Sequence, residues 1–165
     1  MKKIISHTSK ILSYDSVEEL STEFQMLVKK AKAALASSYS PYSGFRVAAA
    51  LKLSNGEIVL GSNQENIAYP SGLCAERVAI FSAGTNFPGV KMEAIAIVAK
   101  SQHGEVTDPV TPCGACRQVM IELESTHSQP MTVIMTGENG EAWVSESVGN
   151  LIPFYFSSSL VGKAE

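Results

Sequence analysis

The 165-residue chain is 45% hydrophobic and carries a formal charge of −3, which suits one α/β domain over residues 1–165 with a proper core. That balance, a pI near 5.6 and the lack of any Lys or Arg run argue against nucleic acid or an anionic membrane as partner. The opening Met1-Lys2-Lys3-Ile4-Ile5 resembles a secretory start, but Ser6, His7, Thr8, Ser9 and Lys10 break the apolar run, and no stretch is long enough to span a bilayer. The expected compartment is the cytoplasm.

Residues 1–15 read as an extended arm. Ser16-Val17-Glu18-Glu19 has a capping-box pattern, followed by Leu20, Phe24, Leu27, Ala31, Ala34 and Leu35 at helical spacing, so a first helix is predicted to about Ser37. Turn formers follow, then a largely apolar strand over residues 45–53. Asn55-Gly56 is a strong hairpin signal and returns the chain antiparallel over 57–62. A loop over 63–73 leads to a helix over 74–83, with Gly84 placed to cap its end. The apolar run 94–99 reads as a strand covered on both faces. A loop through Gly104, Asp108, Pro109 and Pro112 enters a helix over 113–124. A further buried strand spans 131–135, Asn139-Gly140 predicts a second hairpin into 142–145, and a short helix begins near Ser147. Strands alternating with helices predict a three-layer α-β-α sandwich with one central mixed sheet.

The three cysteines, Cys74, Cys113 and Cys116, are an awkward number for a disulfide framework. Both cysteine motifs fall at predicted helix starts, where unpaired N–H groups and the positive dipole end favour thiolate. Two such ends meeting at one point gather three sulfurs around a divalent ion and leave the fourth position of a tetrahedral zinc for water. Cys113-x-x-Cys116 alone is equally a redox pair, and Cys74 alone a small core residue. Glu76, two residues after Cys74, is either a first-turn acid suited to the helix dipole or a general base beside a metal-bound water. His7, His103 and His127 lie outside every motif, and none is assigned to the metal.

Cys74-Ala75-Glu76-Arg77 with Pro112-Cys113-Gly114-Ala115-Cys116-Arg117-Gln118-Val119 resembles the small zinc-dependent cytidine deaminases. Tyr39-Ser40-Pro41-Tyr42-Ser43-Gly44-Phe45 is similar to that family's Tyr-x-Pro-Tyr-Ser-x-Phe, and Asn63-Gln64-Glu65-Asn66 to its Asn-x-Glu-Asn. The resemblance implies hydrolytic removal of the 4-amino group of cytidine or deoxycytidine, with one Zn2+ per chain held by Cys74, Cys113 and Cys116, and Glu76 moving protons. It implies that Arg77 hydrogen-bonds the sulfurs and offsets their charge, although the residue alone reads equally as a solvated surface arginine. It gives Asn63 and Glu65 to the sugar, Phe45 to the pyrimidine ring and the Ala75 backbone to the base. Read alone, these are polar turn residues and strand core. Family members of this length are typically homotetramers with shared sites, which makes Tyr69 and Phe156 candidates for contributions to a neighbour, or else core aromatics.

Two features depart from the family pattern. Val47-Ala48-Ala49-Ala50 stands where Val-Gly-Ala-Ala is common, so the Ala48 methyl is expected to tighten packing near the site. Extra residues precede the first helix and occupy the loop 101–111. The rival readings are a deaminase of the same superfamily acting on another amino-heterocyclic nucleoside, a structural zinc module, and a thiol redox protein. Retention of Asn63 and Glu65 favours a free nucleoside within pyrimidine salvage.

Overall fold

A computed structural model describes residues 2–157; Met1 and residues 158–165 of the expected domain lie outside the described residues. Among the described residues six strands form one sheet: β1 (Leu12–Tyr14), β2 (Phe45–Leu53), β3 (Ile58–Ser62), β4 (Met92–Ser101), β5 (Thr132–Thr136) and β6 (Ala142–Ser145), in the order β1-β6-β5-β4-β2-β3. Only β4 and β5 pair in parallel, Ala94 opposite Thr132 through Val98 opposite Thr136; all other neighbours are antiparallel. A parallel pair needs a crossover, and here the crossover carries helix α3 (Gly114–His127). The β2–β3 hairpin turns at Asn55-Gly56 as predicted, where Asn55 Oδ1 accepts from the Glu57 N–H at 3.1 Å.

Period-2 alternation divides the strands between two cores. One face carries Ala48, Ala50, Ala94, Ala96, Val98 and Ile134, and packs on helix α1 (Thr22–Ala34) through Leu27, Val28, Ala31 and Ala34. The other carries Ala49, Leu51, Ile95, Ile97, Val133 and Met135, and packs on α2 (Ala75–Asn86) and α3 through Ala79, Ile80, Ala83, Met120 and Ile121. The result is the expected three-layer sandwich with a mixed sheet. Both cysteine-bearing helices lie on the same face.

Three local expectations are corrected, and the N-terminal arm gains a partner. The first helix does not start from the Ser16 capping box: residues 17–19 form a 3-10 turn with no cap bond from the Ser16 side chain. The chain then extends so that Leu20 is buried, and Ser21 Oγ caps α1 by accepting from the Phe24 N–H at 3.3 Å. Gln25 Nε2 collects the carbonyls of Glu18 and Leu20 at 2.9 and 2.8 Å. Gly84 does not end α2, which continues to Asn86; Phe87 precedes Pro88, and a pre-proline residue is driven out of helical conformation. Within the extended arm, Leu12, Ser13 and Tyr14 pair with Val144, Trp143 and Ala142 as an edge strand. Finally, the Ala48 methyl lies in the α1 core, on the face opposite the cysteines.

Candidate active site

Cys74 and Cys113 are the N-cap residues of α2 and α3, and Cys116 sits in the first turn of α3. Their sulfurs converge: Cys74 Sγ lies 3.7 Å from Cys113 Sγ, which lies 3.6 Å from Cys116 Sγ, and all three fall within 4.8 Å of one another. Two sulfurs each about 2.3 Å from one tetrahedral zinc stand about 3.8 Å apart, so the cluster fits that ion. No histidine or carboxylate joins it among the described residues.

This convergence depends on a glycine that lies outside the motifs. A Cβ on Gly61 of β3 would stand 2.3 Å from the Ala75 carbonyl oxygen and 2.5 Å from the Ala79 nitrogen. Only the missing side chain lets the first turn of α2 press onto the strand. A lone glycine inside a strand pattern is the sequence signal for such a close approach. On the other side, Arg117 fixes the lead-in to Cys113. Its Nε donates to Pro112 O at 2.7 Å, Nη1 to Leu151 O at 2.9 Å and Nη2 to Thr111 Oγ1 at 3.2 Å.

Crowding shapes the electrostatics. The Cys74 thiol is brought down to about 5, first by hydrogen bonding from Cys116, then by Arg77 and Cys113, against the opposing effect of burial. Cys116 is pushed up by its bond to Cys74, by burial and by the charges of Glu76 and Cys74. The sulfurs compete to hold negative charge, a conflict that a divalent cation resolves. Arg77 points its Nη2 at Cys74 Sγ, 3.7 Å away, while its buried Nε has no partner among the described residues. Glu76 is 3% exposed; burial first, and the Cys74 charge next, hold its carboxyl above the usual range.

Above the sulfurs opens a cavity of about 650 Å³, lined by Phe45, Asn63, Glu65, Tyr69, Cys74, Glu76, Arg77 and Cys113 among others. Most of the residues singled out in the sequence thus meet at one place. Ala75 lies buried beneath, in the core against β3. Phe156 does not line the cavity; it is 62% exposed, with its backbone N–H and C=O paired to the Gln118 side chain at 3.2 and 2.8 Å. Tyr69 is exposed at the mouth, edge-on to Tyr42 with ring centroids 6.2 Å apart.

The polar wall is more committed than its sequence suggests. Asn63 Oδ1 accepts from the Val47 N–H at 2.8 Å and from Ser38 Oγ, and its Nδ2 donates to Phe45 O at 2.9 Å. That fixes the orientation of the amide and leaves one N–H to offer. Glu65 clamps the turn before β2, taking the Tyr42 and Ser43 N–H groups at 2.9 and 3.3 Å on one oxygen and the Ser43 hydroxyl on the other. The Ser43 hydroxyl bond, helped by these backbone bonds, lowers its pKa against the opposing effect of desolvation. Its remaining lone pairs still accept.

A mixed sheet that brings three cysteines and a buried glutamate together at two helix starts defines a metal-dependent enzyme of the α/β class. Residues 21–136 match the family described as the cytidine and deoxycytidylate deaminase zinc-binding region, and the chain belongs to that family. A cytidine deaminase of Halalkalibacterium halodurans is 41% identical over 135 residues, 81% of this chain and 94% of the relative. One from Sporosarcina psychrophila is 39% identical over 136 residues, 82% and 92% of the two chains. The crystal structure of cytidine deaminase from Burkholderia pseudomallei superposes with a TM-score of 0.69 at 42% identity, covering 80% of this chain and 98% of the other.

Proposed function

We propose that the protein hydrolyses the 4-amino group of cytidine and deoxycytidine, giving uridine or deoxyuridine and ammonia. The observation that carries this reading is Glu76, buried beside the three-sulfur cluster at the floor of the cavity. Cys74, Cys113 and Cys116 would hold the zinc, whose Lewis acidity would supply a water nucleophile near neutral pH. Glu76 takes a proton from the attacking water and passes it to ring N3, then takes the second proton from the hydroxyl newly bound at C4 and gives it to the departing amine. The C4–N4 bond breaks as a C4 carbonyl forms, so water and substrate balance product and ammonia. Burial suits Glu76 to this shuttle, since it raises the carboxyl above its ordinary range and so favours holding the proton in transit.

Arg77 offsets the charge of the sulfurs. Phe45 packs on the pyrimidine, and the first backbone N–H groups of α2, at Ala75, have no intrahelical partner and face the base. Asn63 gives its remaining N–H, and Glu65 accepts, at the sugar hydroxyls; an analogue lacking the hydroxyl leaves both unpaired. Tyr69 and Phe156, 75% and 62% exposed, serve sites shared with neighbouring copies in a homotetramer. Three free thiols suit a reducing cytoplasm and a place in pyrimidine salvage.

The test is ammonia release and the absorbance change on cytidine, with zinc measured in the wild type and in Glu76→Gln. The variant is expected to keep its zinc and lose about 10²–10⁴-fold in kcat. Turnover of another amino-heterocyclic nucleoside, with cytidine and deoxycytidine both inert, would overturn the substrate. Recovery of a Cys113–Cys116 disulfide without metal would overturn the chemistry.

A further inference from the structure

The loop between β4 and α3, which no motif covers, touches the cavity wall at Ser43. Ser43 spends every polar group it has. Its N–H and hydroxyl go to Glu65, its Oγ accepts from the Phe45 N–H at 2.9 Å, and its carbonyl faces His103 Nε2 at 3.2 Å. A carbonyl oxygen only accepts, so Nε2 carries the proton. The next residue is pinned as well: Gly44 N–H donates to Ser40 O, and Gln102 N–H donates to Gly44 O, both at 3.0 Å. Gly44 has φ +64°, a conformation in which the preceding peptide unit rotates at little cost. A Cβ there would also stand 3.1 Å from His103 Nε2. The imidazole is therefore the side-chain lock on the carbonyl end of a peptide plane whose N–H end is held by Ser40.

We propose that His103 is a positioning residue for nucleoside binding: by holding the Ser43 carbonyl it fixes, through Ser43, the Glu65 carboxylate and the Phe45 ring. This rests on the deaminase reading above. His103 has no part in proton transfer and touches none of the cysteines. Its loss loosens the sugar and base contacts, which are made alike in ground state and transition state, and so raises KM while kcat stands.

The experiment compares His103→Ala, His103→Leu and His103→Gln, with zinc content and thermal stability recorded for each. One hydrogen bond of ordinary strength predicts a KM for cytidine raised about 2–10-fold in the Ala and Leu variants, with kcat and zinc unchanged. Glutamine places a donor N–H where Nε2 stood and is expected to restore KM, whereas leucine restores bulk alone. In a Glu65→Gln background, His103→Ala is expected to add little, because both changes act through Ser43. An unchanged KM in His103→Ala, full rescue by leucine, or a fall in kcat at constant KM would overturn the proposal. Amide hydrogen exchange at residues 43–45 of the free protein reads the lock without any substrate. Faster exchange in the Ala and Leu variants, but not in Gln, supports it; unchanged exchange overturns it. A wild type inert on cytidine sinks the deaminase reading alone and leaves the exchange result to judge His103.

Discussion

The floor and the mouth of the cavity are built in different ways. The floor is helix starts pressed onto a sheet: Cys116 and Ala75 are fully buried and Glu76 nearly so. The mouth is turns and loops, with Tyr42 44% and Tyr69 75% exposed and a carboxylate clamp holding residues 42–43. Bond-making needs groups fixed by packing, because errors in position cost rate directly. Recognition tolerates loops, provided each loop is tied down by side-chain bonds, as Glu65, Asn63 and His103 tie this one.

The contrast predicts that damage to the floor costs more than damage to the mouth, and most where the floor is tightest. Gly61→Ala sets a methyl against the Ala75 carbonyl and the Ala79 nitrogen, so α2 must lift from β3. Overpacking of this kind removes about 1–3 kcal/mol of stability. The accompanying shift of Cys74 and Glu76 is expected to lower kcat by about 10²-fold, since a displacement near 1 Å has that scale. Calorimetry and steady-state rates check both numbers; normal activity in this variant would mean that the contact does not place the site.

Next in size comes Arg77→Ala. Turnover is expected to slow by about 10–100-fold, the usual range for a residue that tunes metal ligands, while zinc largely stays bound. Metal analysis beside the rate separates the two, and an unchanged rate constant would remove Arg77 from the reaction. The smallest effect belongs to the edge farthest from the cavity. Removing residues 2–14 strips β1 from β6 and uncovers an unpaired strand edge. Turnover per folded molecule should be unaltered, whereas light scattering should show association that grows with concentration. Loss of activity without association would show that the arm serves the site instead.

The legibility of these regions follows the same division. β2 reads correctly to the residue because a strand buried on both faces is an apolar run between turn signals. The cysteine motifs read well because their chemistry is local: a cap position, a helix start, an acid two residues on. Less legible were features decided at a distance. The Ser16 capping box was present but unused, since burial of Leu20 outweighed one cap bond. The strand at 12–14 has no pattern of its own and exists because β6 offers an open edge. Asn63 could be picked out as polar and near the site, but only the fold shows that its amide is spent on the Val47 N–H and the Phe45 carbonyl, with one donor left. The sequence suggests that the Ala48 methyl tightens packing near the site, yet alternation sends it to α1.

That rear layer has one further effect. Ala48, Ala50, Ala94 and Ala96 meet α1 with methyl groups alone, and alanine has no rotamers to lose on folding or to sample afterwards. The sheet is thus backed by a surface with almost no internal play, against which sequence drift toward larger residues has nowhere to go.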